Sequence, residues 1–318
     1  MTVSAIETQP QPPLWKTLTA FAIIYVVWGS TFLAIRIGVA EVPPFLFAAM
    51  RFFTAGLVLY LWQIFRGEPN PTRREWASIT LLASLIFVLD YGLLFWTEQR
   101  VPSGLAAVML ATIPVFIALF EILILRTQRL TPQLIAALII GLAGVAVLMS
   151  PGLPLSGAPI AKAGAIALLI AAIGWSIGTV LTRKLPLPKS KSMSSGTQML
   201  VGGVLLALVS GVAGEFHNFH PAAVSRAAWL SLLYLIVAGS LIGFTAYVWL
   251  IHHQSPTKVG TYAYVNPVIA VLLGYFLANE PLGMRTILGT LCVLISVIVI
   301  TTTRAEKTAL PSASEPRR

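Results

Sequence analysis

Almost the whole chain is partitioned into apolar runs of about 20 residues, the length a helix needs to cross the hydrocarbon core of a bilayer. Only short gaps rich in Pro, Gly and charge separate them. Backbone in lipid must satisfy its own hydrogen bonds, so runs of this kind fold as helices. The reading gives ten spans. The first five are Trp15–Ile35, Pro44–Phe65, Trp76–Thr97, Pro102–Leu125 and Pro132–Met149. The second five are Lys162–Thr182, Met193–Gly214, Trp229–Ile251, Pro256–Ala278 and Arg285–Thr301. Composition agrees: 57% of the 318 residues are hydrophobic and 10% charged, where a soluble domain carries about 25% charged residues. The expectation is an all-α integral membrane protein of ten transmembrane helices.

The net charge of +10 does not argue for a nucleic-acid partner. Lys and Arg sit in the gaps, as topology signals do. With the N-terminus placed in the cytoplasm, only six of the 21 basic residues fall on the far side: Arg36, Arg51, Arg100, Lys162, Arg226 and Arg285. The bias predicts both termini inside and a multi-pass protein of the cell membrane. The opening stretch lacks a basic start followed by a short apolar core, so the first span is expected to act as its own insertion signal. Residues 1–14 and 304–318 read as disordered cytoplasmic tails. One cysteine, Cys292, and four scattered histidines offer neither a disulfide framework nor a metal-ligand set. No cofactor or metal is expected.

The chain repeats itself. "RVPSGLAAVMLATIPVFIALF" aligns with "QSPTKVGTYAYVNPVIAVLLG", placing Pro114 on Pro267. "TQRLTPQ" then aligns with "NEPLGMR", and "VVWGSTF" echoes "IGWSIGT". Each half (15–150 and 162–303) holds five spans, an odd number, so the second is expected to insert upside down relative to the first. Inverted repeats of this kind place a substrate site between the halves near the bilayer midplane.

The motifs "WGSTF", "RFFTAG", "VPSGLAAVMLATIPVF", "TYAYVNPVIAVLLG" and "NEPLG" together resemble the EamA-type, ten-span branch of the drug/metabolite transporter superfamily. The resemblance runs over nearly the whole chain, about Trp15 to Thr303. One departure stands out: where the family often has an acidic residue before "RLT", this chain has Gln128, while the second repeat keeps Glu280. What is at stake there is a helix-start cap. The resemblance implies a membrane carrier, in many members an exporter of amino acids or other small metabolites.

Candidate site residues follow from polarity inside spans. Pro267 removes a backbone donor and frees a carbonyl near Ala263, which a cavity wall or packed neighbour tolerates and lipid does not. Tyr262 and Asn266, four apart, share a helix face, and Tyr264 points nearly opposite. Asn266 either binds ligand or caps the kink and bridges to a neighbouring helix. Arg51, Asp90 and Glu121 are charges within spans, each costing roughly 2.5–3.5 kcal/mol at the bilayer centre unless it faces the interior. Arg51 and Asp90 match in depth, predicting an ion pair that serves as a gate or a structural link. Glu121, near the cytoplasmic end of its span, is expected to reach the interface or to meet Arg126 or Arg129. Asp90 and Glu121 are then the in-span carboxylates available to carry protons. Trp28, Tyr91, Phe95, Trp175 and Tyr247 lie within spans and suit a mostly apolar cavity with a few polar handles.

The leading reading is a secondary transporter working by alternating access on a small amphipathic or zwitterionic solute, with proton or exchange coupling, as a monomer or homodimer. No nucleotide-binding loop is present to supply other energy. An alternative is an integral membrane enzyme acting on a lipid-linked substrate, centred on His252, His253 and Lys258. A channel is disfavoured by the lack of a filter-like loop.

Overall fold

A computed structural model describes residues 13–125, 131–149, 161–254, 259 and 261–308. Those residues form helices and connecting loops, without strands. Among the described residues, eight helices are long and apolar enough to cross a membrane: α1 (Leu14–Val39), α2 (Pro44–Phe65), α3 (Arg73–Glu98), α4 (Ser103–Leu125), α5 (Pro132–Met149), α6 (Lys162–Leu181), α7 (Lys191–Val212) and α8 (Arg226–Leu250). Two further apolar helices follow, α9 (Tyr262–Ala278) and α10 (Met284–Thr308). The predicted tails, Arg126, Gln128, Arg129 and Lys258 lie largely or wholly outside the described residues. Large apolar side chains, among them Phe65, Leu208, Val212 and Phe276, stand exposed on the outside. In water such a surface would drive aggregation, whereas lipid accepts it. The molecule is a multi-pass membrane protein.

Local chemistry sets the helix starts. Pro44 opens α2 at a position whose N–H has no partner anyway. Thr72 and Glu75 form a reciprocal capping box on α3. Ser190 caps α7 and Ser225 caps α8. At the end of α9, Asn279 takes the left-handed conformation (φ 53°), and the Glu280 N–H donates back to the Gly274 carbonyl at 3.0 Å. Among the described residues, wide π-helical turns occur in four helices, at Ile23–Val27 in α1, Ser84–Gly92 in α3, Glu121–Leu125 in α4 and Leu235–Ile242 in α8.

The helix neighbours follow a rule. α2 packs along α7, and α5 along α10; α3 packs on α6, and α1 on α8; α4 packs on α9. Further contacts join α6 to α4 and α9 to α1. Exchanging each helix for the one five places away turns this set of neighbours into itself. Small residues permit the closest approaches. A Cβ on Gly203 would collide with the Phe53 backbone, and one on Gly56 with the Leu200 backbone, so α2 and α7 meet main chain to main chain. Gly174 and Gly178 let α6 settle on Leu85, Ile86 and Leu89 of α3.

Candidate functional site

Mid-bundle, the π-helical turns of α3 and α8 bring polar groups to the junction of the halves. Such turns loosen the main-chain ladder and recur at functional sites. Gly239 lies in the α8 turn, and its carbonyl accepts the Trp28 indole N–H at 3.1 Å. Gly243, one helical turn on, makes room for that indole: a Cβ there would sit 2.5 Å from Trp28 Nε1. Ser240 accepts Arg51 Nε at 3.2 Å. Arg51 is thus tied to α8 from α2, with its guanidinium 4.7 Å from the Phe52 ring and 5.5 Å from the Tyr91 ring.

Two aromatic groups flank this junction. Trp28 of α1 lies 5.3 Å from Tyr247 and 5.2 Å from Tyr262, and those two rings are 6.2 Å apart. On the other side Tyr91 touches Phe52 at 4.6 Å, Phe95 at 6.5 Å and Trp175 at 5.9 Å. Trp28 and Trp175, which stand in the matching motifs "VVWGSTF" and "IGWSIGT", each join one of these two aromatic groups. The structure brings together seven of the ten candidates: Trp28, Arg51, Tyr91, Phe95, Trp175, Tyr247 and Tyr262. Asn266 is buried on the α1-facing side of α9, where its backbone oxygen would lie 3.3 Å from a Cβ on Gly29. Its Oδ1 has no hydrogen-bond partner. Tyr264 stands apart, its hydroxyl by Thr261, which also bonds the Tyr25 hydroxyl.

The Arg51–Asp90 ion pair does not form. Asp90 is buried beside Tyr91, and its Oδ1 is unpartnered, as is Arg51 Nη1. Arg51 is drawn across to Ser240 and the aromatic faces. Glu121 pairs with Arg183 at the end of α6, at 2.8 Å.

Three features escaped the sequence reading. Ser240 gave no signal, because a serine in an apolar span is common. Glu98 was assigned to a gap, yet it is the last residue of α3 and only 1% exposed; Asp90 and Glu121 are therefore not the whole set of in-span carboxylates. The third is a row of carboxylates that cap helices across the two halves: the sequence marks Glu280 as a helix-start cap but gives no sign of Glu41 or Glu215. Glu41 accepts from the Ser225 N–H and hydroxyl, both at 2.6 Å, at the start of α8. Those two bonds hold the Glu41 carboxyl below the usual carboxylate range. Glu215 accepts from the N–H groups of Phe45 and Leu46 at the start of α2. Glu280 accepts from Ser103 N at 2.7 Å, Ser103 Oγ at 2.8 Å and Gly104 N at 3.1 Å, at the start of α4. Each satisfies orphan donors and complements a helix dipole. Gly274 has to be small, because a Cβ there would invade the Glu280 carboxylate.

Comparison with known proteins matches the EamA-like transporter family to residues 15–150 and again to residues 162–302. The chain is 39% identical over 291 residues to the uncharacterized inner membrane transporter YedA of Escherichia coli K12, covering 91% of this chain and 90% of that one. It is 27% identical to the uncharacterized transporter YvbV of Bacillus subtilis, covering 96% and 98%. A crystal structure 22% identical in sequence covers 94% of this chain and 100% of its own, with a TM-score of 0.60, a likeness of fold.

Proposed function

Given that this chain belongs to the EamA-like transporter family, and so is a membrane transporter rather than an enzyme, we propose that it exports a small amphipathic or zwitterionic metabolite by alternating access. The carrying observation is the state of Arg51 and Asp90. They are buried, and each keeps a polar atom unpartnered instead of pairing with the other; the Phe52 and Tyr91 rings lie against Arg51. A buried charge without a partner is costly. A solute bearing a carboxylate for Arg51 and an ammonium for Asp90 relieves both, and the rings take its apolar part. Tyr262 and Asn266 supply further polar contacts from α9.

The exchange-invariant neighbour pattern supports ten spans in two inverted five-helix repeats, with this junction as the site that faces either side in turn. The bias of Lys and Arg supports cytoplasmic termini. The Escherichia coli relative, named as an inner membrane transporter, supports the cell membrane as the location. The partners are then a small solute and the bilayer, with no nucleic acid.

The test is metabolite profiling inside and outside cells that express the protein or its Arg51→Lys, Asp90→Asn and Trp28→Ala variants. One solute should leave faster with the intact chain. Losing a charge-assisted hydrogen bond worth about 1.5–3 kcal/mol should slow it by roughly tenfold or more in the Asp90→Asn variant. If no solute moves, the export reading falls; if the solute moves equally well in Asp90→Asn and Arg51→Lys, the site is elsewhere.

A further inference from the structure

We propose that Glu98 is a proton-binding site, and that the proton it carries latches one end of the helix bundle. The inference deepens the transporter reading and rests on it for its biological use, though not for its test. Glu98 closes α3, is 1% exposed, and neither carboxylate oxygen has a hydrogen-bond partner. A carboxylate in that setting is heavily penalised while charged, and a single proton removes the penalty.

The surrounding charges explain why no side-chain donor bonds it. From α1, Arg36 turns its Nη1 to the backbone carbonyls of Glu98 and Val101. Its Nε lies 4.0 Å from Glu280 Oε1. Glu280, in the loop after α9, spends both oxygens on the start of α4. From α2, Arg51 is drawn to Ser240. Glu41 and Glu215 are committed to α8 and α2. Arg100 on the same turn and Lys162 at the start of α6 are exposed. Two carboxylates, Glu98 and Glu280, thus stand around one guanidinium, and Glu280 holds it.

A metal cation fits less well. Thr97 Oγ1 is also buried and unpartnered, but neighbouring helix positions point about 100° apart, so the oxygens do not converge. Arg36 would also repel the ion. A proton needs no coordination shell. On binding, it forms one O–H bond at a Glu98 oxygen and leaves a neutral acid. On release, the ionised carboxylate competes with Glu280 for Arg36. Drawing Arg36 away frees the contact that joins α1 to the end of α3, the loop before α4 and the loop after α9. Proton release at Glu98 therefore loosens this end of the bundle, and proton binding secures it.

The experiment is an infrared pH titration of the purified protein in lipid nanodiscs, following the C=O stretch of protonated carboxyl groups. The wild type should show a band that fades as the pH is raised from mildly acidic to mildly alkaline. Glu98→Gln should lose that band and Asp90→Asn should keep it. A titrating band that persists in Glu98→Gln, or no titrating band in the wild type, overturns the proposal. Should Glu98→Gln fail to fold, Glu98→Asp decides: a shifted midpoint supports the site and an unchanged one overturns it. Thiol labelling of Val101→Cys in a Cys292→Ser background reads the latch. Labelling should exceed that of the same protein carrying Glu98→Gln at high pH and match it at low pH; equal labelling throughout overturns the latch. Neither readout needs a transported solute, so a failed export assay would leave this result standing on its own.

Discussion

The two ends of the bundle are held by different means. At one end, carboxylates in one half of the chain cap helices in the other: Glu41 on α8, Glu215 on α2 and Glu280 on α4. Arg36 adds a bridge from α1 to the end of α3 and to Glu280. At the other end, among the described residues, α3 and α7 are capped by their own neighbours, Thr72 with Glu75 and Ser190. Inter-half ties there include Glu121 with Arg183, whose side chain is largely exposed, and Lys184 Nζ donating to the Ile124 carbonyl at 2.7 Å. Parting the halves at the first end breaks charge-assisted bonds to helix starts. Parting them at the second leaves the caps intact. The structure is therefore clasped at one end by interactions that a rocking motion has to undo.

Variants can break or sharpen that contrast. Removing the Glu280 carboxylate with Glu280→Ala strips three bonds from the start of α4 and should cost about 3 kcal/mol, seen as the largest drop in the thermal unfolding midpoint in detergent. Glu215→Ala should follow at about 2 kcal/mol, since its two bonds cap a single helix start. Glu75→Ala, at the self-capped end, should move the midpoint less than either. A Glu75 effect as large as that of Glu280 would erase the distinction.

The smallest effect concerns acid. The Glu41 carboxyl is held below the usual carboxylate range by Ser225. A depressed value means the group stabilises the fold above the ordinary carboxylate range, and the contribution fades as the pH falls through the folded value. Stability should therefore weaken slightly on acidification, and Glu41→Gln should flatten that part of the profile. An unchanged acid limb in Glu41→Gln would show that this cap contributes nothing measurable.

Much of this was legible in the chain. Lipid demands continuous apolar helices, so their ranges stand out: α2 and α5 begin and end where the apolar runs do. In the motif "NEPLG" the residues prove mechanical: Asn279 supplies the left-handed turn and Glu280 the cap on α4. The aromatic candidates converge because interior rings in a span have few other places to go. The partners of charges were not legible. Arg51 reaches Ser240 rather than Asp90, because partner choice depends on side-chain direction and on π-helical turns that rotate the register. Glu98 was missed because its burial comes from helices distant in sequence.

The most direct measurement is a lock on the clasped end. Glu41→Cys and Ser225→Cys, in a Cys292→Ser background, place two thiols where the cap now sits. A bifunctional thiol cross-linker then ties the halves. The protein is reconstituted in vesicles loaded with a mixture of amino acids and other small metabolites, and efflux is followed by mass spectrometry. The account predicts that cross-linking reduces efflux to the level of protein-free vesicles, and that a cleavable linker restores it on cleavage. Undiminished efflux from the cross-linked protein would show that the clasped end never opens, and would contradict alternating access between the halves.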